Sequence, residues 1–156
     1  MIAAMSDQPD ILFLLHDLAR HLRLDADRRA AAHGMTRAQW VILFWLERQP
    51  GLSQKELSEI LEVEPITVAR LIDRLEDRGF VERRDDPHDR RIWRLHLCPP
   101  ARPILVDLHV ERTEILHTVS AGLDATALGL IRKGLTRMKA NVVADIRAKS
   151  LEKDVA

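Results

Sequence analysis

A threonine and two arginines follow Pro65 at near-helical spacing. Thr67 can donate or accept a hydrogen bond, and its methyl group can contact that of a thymine base. Arg70 can form two hydrogen bonds with the O6 and N7 atoms of guanine, and Arg74 lies about one helical turn further on, within reach of a phosphate. The exposed early part of this helix would therefore offer a surface for reading base edges, made by Pro65, Ile66, Thr67 and Arg70.

A second group of charged side chains lies in a short loop, where Asp89 is followed directly by Arg90 and Arg91. An arginine at a loop tip can enter a narrow minor groove, where the negative potential of DNA is enhanced. Asp89 can hold a neighbouring arginine in position through a two-point ion pair. Upstream, the helix start at Ser53 and Gln54 offers backbone N–H groups that suit a phosphate.

Hydrophobic periodicity predicts the elements that must position these side chains. Apolar residues at intervals of three and four predict helices, and an alternation of apolar and polar residues predicts a half-buried strand. The predicted helices span residues 9–32, 36–49, 53–61, 65 to the residues before Gly79, 101–121 and 124–149, and two strands at 80–84 and 92–98 form a hairpin. In the second strand, Trp93, Leu95 and Leu97 are predicted to share the half-buried face. Two helices separated by a tight turn and followed by a charged hairpin predict a mainly α fold with a small β-hairpin wing, a winged helix-turn-helix.

Local sequence signals mark where two of these helices begin. Thr36 with Gln39, and Ser53 with Glu56, have the spacing of capping boxes, in which each side chain bonds the other residue's backbone N–H. Pro65 suits the first turn of its helix, because its missing N–H costs nothing there. These signals support the bounds that periodicity predicts.

Composition limits the classes of protein to which the chain can belong. Lys and Arg number 24 and Asp and Glu number 24, so any basic surface must come from the arrangement of the arginines. A single cysteine excludes an intrachain disulfide framework and a cysteine zinc cluster. The longest apolar run, residues 40–46, predicts a helix buried on all sides and is too short to span a membrane. No positive segment precedes Arg20 as a secretory signal requires, so we expect a cytoplasmic protein with no membrane partner.

The same charged side chains also have an ordinary interpretation. Charges on the outer face of a helix are commonly only solvated, and arginines in a hairpin commonly protect its edge. Periodicity alone leaves this interpretation open beside DNA binding. No glycine-rich phosphate loop, nucleophile elbow or metalloprotease helix is present, so we expect no enzyme, no catalytic residue and no cofactor. The histidine pairs 16/21 and 109/117 lack the spacing of a helical metal site, so no metal ligand is predicted.

Five stretches between residues 35 and 98 carry a recognisable pattern. They are Met35–Trp40, Ser53–Leu57, Thr67–Glu76, Gly79–Arg83 and Asp86–Arg91. Together they resemble the MarR family of bacterial transcription regulators, and the loop Asp86–Arg91 matches that family's most specific motif. The flanking helices match in position and length but not in a distinctive motif.

The resemblance implies a homodimer in which two winged lobes bind a palindromic operator in double-stranded DNA. It implies that Thr67 and Arg70 read bases. It also implies that Arg91 enters the minor groove with Asp89 bracing it, and that Arg90 lies near a phosphate. The lobe would comprise residues 35–99, and residues 1–34 and 100–156 would form a helical dimerisation region.

Many members of the family resemble one another in being repressors released by a small aromatic acid or phenolic ligand. Such a ligand would bind between the lobe and the dimerisation helices, in a cavity with apolar walls and one polar contact. The side chains expected to line it are Trp40 and Phe44, with His16 or Arg20 as the contact to a carboxylate.

Two other functions remain open at this point. A winged helix can bind protein instead of DNA, although such a wing has no need of arginines at its tip. A regulator can also respond to oxidants through a cysteine, and Cys98 stands where the family usually has a threonine after the second strand. That function requires an exposed thiol with a lowered pKa.

Overall fold

The structure is a computed structural model that describes residues 10–154, with side chains up to residue 149. Within this range the chain is mainly helical with one small antiparallel hairpin, which confirms the predicted fold class. The elements are α1 (Ile11–Ala32), α2 (Arg37–Arg48), α3 (Gln54–Leu61), α4 (Pro65–Asp77), β1 (Val81–Asp85), β2 (Trp93–Leu97), α5 (Ala101–Val119) and α6 (Ala125–Asp154).

α2 is the central helix of the lobe. Its N-terminus has the predicted capping box: the Gln39 N–H donates to the Thr36 hydroxyl at 3.2 Å, and the Thr36 N–H donates to Gln39 Oε1 at 2.9 Å. None of residues 40–46 is exposed, so this apolar run forms a largely enclosed helix, but the prediction that it is buried on all sides holds only in part, because Val41, Phe44 and Trp45 are half-buried. The fully buried side chains of α2 are Ile42, Leu43 and Leu46.

α3 and α4 form the helix-turn-helix. Glu62 ends α3 with a left-handed backbone (φ 55°), which reverses the chain within three residues. Pro65 occupies the first turn of α4, as predicted, and Gly79 follows the helix with φ 69°. One face of α4 is buried, through Val68, Leu71, Ile72 and Leu75. The opposite face of α4 is therefore left for solvent or a partner.

β1 and β2 form the hairpin, and together with the loop between them they make up the wing. Asp85 pairs with Trp93 at the tip end of the antiparallel sheet, and Arg83 pairs with Leu95. Leu95 is fully buried, but Trp93 is 45% exposed although it was predicted on the same half-buried face. Trp93 shares the face of Leu95 as predicted, but its predicted burial was wrong, because this residue lies at the tip end of the strand, beyond the buried side chains of the core.

Several element bounds differ from those predicted. β1 begins and ends one residue later, and β2 is one residue shorter at each end. α5 ends two residues earlier, at Val119, and α6 continues to Asp154. The predicted start of α1, residue 9, lies outside the described residues. No threonine caps α5, and its first N–H, that of Ala101, donates to the Cys98 carbonyl at 2.9 Å instead.

The hydrophobic core lies within the first of two compact units, Met1–Glu111 and Arg112–Ala156. Besides the helix-turn-helix and the wing, the core includes Ala30 of α1 and Leu105 of α5. The end of α1 and the start of α5 therefore contribute to the lobe. Across residues 10–154, no helix combines the length and hydropathy that crossing a membrane requires.

Candidate nucleic-acid interface

The exposed face of α4 carries the side chains predicted to read DNA. Pro65, Ile66, Thr67, Arg70 and Arg74 are all exposed, because the buried residues of α4 lie on its other face. Among the described residues, the guanidinium groups of Arg70 and Arg74 form no hydrogen bond or ion pair. Both therefore remain available to an anionic or hydrogen-bonding partner.

The start of α3 differs from expectation at one residue. The Ser53 N–H donates to Glu56 Oε2 at 2.7 Å, and the Glu56 N–H donates to the Ser53 hydroxyl at 3.2 Å. The bond from the Ser53 N–H, followed by a hydrogen bond from the Ser53 side chain to the same carboxyl group, holds the pKa of Glu56 below its usual value. The prediction that the Ser53 N–H binds a phosphate conflicts with this arrangement, since the Glu56 carboxylate already occupies it. Gln54 is half-buried, and its predicted contact with a phosphate stays a prediction.

Asp86 organises the loop of the wing, a role that the sequence analysis missed. Its side chain is 7% exposed. Asp86 Oδ1 accepts from the backbone N–H groups of His88 at 2.7 Å and Asp89 at 2.9 Å, and Oδ2 accepts from Arg94 Nε at 2.5 Å. The Arg94 bond, followed by the two backbone bonds, lowers the pKa of Asp86 to about 2. An aspartate before a turn proline is the local signal that could have indicated this geometry.

Arg94 connects this loop to the helix-turn-helix. Its Nη1 donates to Glu56 Oε2 at 3.1 Å and to the Gly51 carbonyl at 3.2 Å. An isolated β-bridge also joins Arg94 to Ser53. Arg94 therefore holds the wing against the residues that begin α3.

A second arginine holds the wing against α4. Arg83 Nη2 donates to Asp73 Oδ1 at 2.7 Å, and Arg83 Nη1 donates to Glu76. The Glu76 side chain also accepts from the Arg83 backbone N–H at 3.1 Å. The wing is thus anchored to both helices of the helix-turn-helix, which sets its place relative to the exposed face of α4.

The tip of the wing has the predicted ion pair. Arg91 Nε and Nη2 donate to the two carboxylate oxygens of Asp89, each at 3.1 Å, and the Arg91 backbone N–H donates to Oδ1 at 3.0 Å. The side-chain bond from Arg91 is the main cause that lowers the pKa of Asp89. The Arg91 side chain is nevertheless 90% exposed. Arg90 is exposed beside it, so two cations project from a tip whose backbone is fixed by Asp86 and Asp89.

The four residues predicted to contact a ligand do not line either of two open clefts in the lobe. His16 and Arg20 are exposed on α1, and Arg20 pairs with Asp17 at 2.8 Å. Trp40 is 6% exposed and packs against the His33 ring, with 5.6 Å between centroids. The first cleft, of about 480 Å³, is lined by residues that include Met35, Gln39, Arg74 and Arg78. The second cleft, of about 590 Å³, is lined by residues that include Glu59, Glu62, Glu64 and Thr67.

Two polar groups bear on the ligand and redox hypotheses. The indole N–H of Trp40 is buried and has no hydrogen-bond acceptor among the described residues. Cys98 is half-buried, and burial raises the pKa of its thiol above the ordinary value. A raised pKa lowers the fraction of thiolate, so this environment does not favour a redox-responsive cysteine.

Comparison with known proteins gives a consistent result. Residues 33–92 match the sequence profile of the MarR family. The crystal structure of MarR is 27% identical and superposes with a TM-score of 0.78, covering 91% of this chain and 97% of that one. The transcriptional regulator PA3341 is 32% identical with a TM-score of 0.74, over 84% of this chain and 96% of that one. A MarR transcriptional regulator from Methanosarcina mazei Go1 is 26% identical with a TM-score of 0.76, over 84% and 94%.

Proposed function

This chain belongs to the MarR family of transcriptional regulators, and from that premise we propose that it is a homodimeric repressor that binds a palindromic operator. MarR-family regulators are transcription factors that bind DNA and act as dimers. The observation that carries the proposal is the wing tip, where Asp89 holds the exposed Arg91 beside a lobe whose α4 presents unpaired arginines.

In the proposed complex, the first turns of α4 enter the major groove. Thr67 and Arg70 contact base edges, and Pro65 and Ile66 supply apolar contacts. The contacts to phosphates come from Gln54, Arg74 and Arg90. Arg91 enters the adjacent minor groove, where its guanidinium meets the enhanced negative potential.

We propose that the helices outside the lobe join two chains. Residues 1–34 and 100–156 form this dimerisation region, and their described helices expose large apolar side chains that a second copy can cover. The exposed apolar side chains include Phe13 and Leu18 in α1, Val106 and Val110 in α5, and Leu130 and Val142 in α6. In the dimer, the two α4 helices lie about 34 Å apart and enter successive major grooves on one face of the DNA.

We propose that a small aromatic acid or phenol releases the repressor from DNA. The unpartnered N–H of Trp40 supports this, because a buried donor without an acceptor is costly and a ligand oxygen would satisfy it. Phe44 lies one helical turn further along α2, and His16 and Arg20 are the proposed contacts of the carboxylate. A ligand bound there acts only if it favours a lobe spacing that the operator does not.

The test is a binding titration with the DNA upstream of the protein's own gene, against a shuffled duplex of equal length. We expect tighter binding to the upstream duplex and a clearly negative slope of log K against log salt, since arginines displace counterions from phosphates. Arg102→Ala is the matched control, because it removes an exposed arginine that is not among the proposed DNA contacts, and its dimer mass is checked beside its affinity. Equal affinity for both duplexes, or salt-independent binding, would contradict the proposal and favour a protein-binding winged helix.

A further inference from the structure

We propose that Trp93 contacts the sugar–phosphate backbone of DNA between the wing and α4. The inference rests on the proposed function and adds to it an uncharged contact that lies outside the motif of the wing loop. Its indole N–H donates to a phosphate oxygen, and its ring packs against a deoxyribose.

Trp93 differs from the other tryptophans in exposure. It is 45% exposed, whereas Trp40 is buried and Trp45 is half-buried. Within the described part of the chain, the Trp93 indole N–H has no hydrogen-bond partner. An indole joins a large apolar face to a single donor, so it suits a surface that is apolar on one side and accepts a hydrogen bond on the other. Deoxyribose linked to a phosphate is such a surface.

The hairpin register shows which way Trp93 faces. Side chains two apart on a strand share a face, so Trp93 lies on the same side as Leu95, which is fully buried. Arg83, opposite Leu95, lies on this side too, and its guanidinium reaches Asp73 at 2.7 Å and the Ala69 carbonyl at 3.5 Å. This side of the wing therefore faces α4.

The position of Trp93 along α4 follows from the spacing of the two elements. The Phe80 N–H donates to the Leu75 carbonyl at 2.9 Å, so β1 starts beside the end of α4 and runs back along it past Arg83. Trp93 lies opposite Asp85, two residue pairs beyond Arg83 and about 7 Å nearer the tip. That distance corresponds to about four or five helical residues, which brings Trp93 level with the first turns of α4. Ile66, in those turns, is 62% exposed.

DNA geometry then places a strand beside Trp93. α4 occupies a major groove and Arg91 the neighbouring minor groove, and a single sugar–phosphate strand separates adjacent grooves. In the proposed complex that strand passes between the first turns of α4 and the wing tip. Trp93 is the exposed aromatic side chain on the wing's inner side at this level.

The experiment compares Trp93→Ala and Trp93→Phe with the wild-type protein on the upstream and shuffled duplexes. We expect Trp93→Ala to bind both about tenfold more weakly, because the hydrogen bond to the phosphate and the packing of the ring against the deoxyribose are both lost. The loss is equal on the two duplexes, because a backbone contact carries no sequence information. Trp93→Phe keeps an aromatic face without the donor and is expected to lose about threefold.

Two further readouts separate this contact from a general loss of structure. The indole is neutral, so the salt slope of Trp93→Ala stays at the wild-type value, whereas Arg91→Ala reduces it. DNA should also shield the exposed tryptophan of the wild-type protein from acrylamide quenching, and Trp93→Phe should lack that shielded component. Thermal melting and dimer mass serve as folding controls.

Wild-type affinity of a folded Trp93→Ala dimer for both duplexes would overturn the inference and leave the proposed function intact. A loss confined to the upstream duplex would also overturn it, since it would indicate a base contact. A wild-type protein that binds neither duplex would overturn the proposed function and this inference with it.

Discussion

Asp86 shapes the wing tip, although Arg91 is the side chain that we propose enters the minor groove of DNA. The Asp86 carboxylate bonds the N–H of Asp89, and the Asp89 carboxylate in turn bonds Arg91. The conformation of the tip therefore depends on a buried charge. Arg94 balances that charge from β2 and carries its effect to Glu56 at the start of α3.

The first prediction is that Asp86→Asn destabilises the protein in a pH-dependent way. The folded pKa of Asp86, about 2, is below the ordinary value of 3.8. Its stabilising effect is therefore present above about pH 4 and is lost as the pH falls towards 2. We expect the variant to melt at a lower temperature than wild type at pH 7, and the difference in Tm to shrink between pH 4 and pH 2.

Asp77→Asn is the matched control, because Asp77 is exposed and has no partner among the described residues. It should leave the Tm near the wild-type value across the same pH range. A Tm deficit of Asp86→Asn that is as large at pH 2 as at pH 7 would show that its charge is not what stabilises the loop.

The second prediction separates the two kinds of DNA contact. Arg70→Ala should cost about 1–3 kcal/mol on the operator and relax specificity at one base pair, because a two-point bond to guanine is lost. Arg91→Ala should weaken binding most on sites with AT-rich flanks, where the minor groove is narrow. Competition titrations on a set of single-base operator variants measure both effects. If both variants bind the operator with wild-type affinity, as the control Arg102→Ala is expected to do, the proposed groove contacts are wrong.

At the scale of elements, α6 is the helix that we propose serves dimerisation and not the core of the lobe. No residue of its described part belongs to the buried core. Its apolar side chains repeat at intervals of three and four residues, through Leu128, Ile131, Leu135, Met138, Val142 and Ile146. Ile131 and Leu135 are 45% and 44% exposed. Such a stripe is expected to be buried against another surface.

The third prediction is that the double variant Ile131→Glu, Leu135→Glu does not dimerise. Burying two carboxylates in an apolar interface is costly, so the variant should have a mass near 17.9 kDa, against about twice that for the wild-type dimer. Light scattering during size-exclusion chromatography measures the mass. The monomer should also bind the upstream duplex far more weakly, since one lobe holds only one half-site.

Lys133→Glu is the control, since residue 133 lies about 200° from Ile131 around the helix and so off the stripe. It adds a negative charge to the same helix and should remain dimeric. A dimeric double glutamate variant would show that this stripe of α6 is not in the interface.

At the scale of the whole molecule, we propose that regulation depends on the distance between the two lobes of a dimer. Recognition of successive major grooves requires a spacing of about 34 Å, so a ligand that stabilises another spacing must compete with the operator. The competition is reciprocal, since binding free energies are linked.

The fourth prediction concerns that ligand. Salicylate and related phenolic acids at millimolar concentration should release the protein from the upstream duplex and change its tryptophan fluorescence. Trp40→Phe keeps an aromatic ring of similar shape but removes the buried N–H, so release should require a higher ligand concentration. Trp93→Phe, whose change lies on the wing, should leave the ligand affinity of the DNA-free protein unchanged. Absence of any effect of these acids on DNA binding or fluorescence would overturn the ligand class but not DNA binding.

Much of the fold could be predicted because its signals lie between residues close in sequence. The capping boxes at Thr36 and Ser53 join residues three apart, and both are present in the structure. Pro65 and Gly79 bound α4 through their own backbone preferences. The ion pair of the wing tip is equally local: residue type and spacing predicted that Asp89 pairs with a neighbouring arginine, and the resemblance to the MarR family indicated Arg91.

The tertiary structure decided what depends on residues far apart in the chain. Arg94 reaches Glu56, 38 residues away, and no local pattern indicates that contact. The exposure of Trp93 depends on where the core ends, because strand alternation assigns a side chain to a face but not to a depth. The core also includes residues of α1 and α5, which likewise depends on how separate elements pack together. Spacing along the chain determines helices, caps and short-range pairs, whereas burial and long-range ion pairs arise only when separate elements pack together.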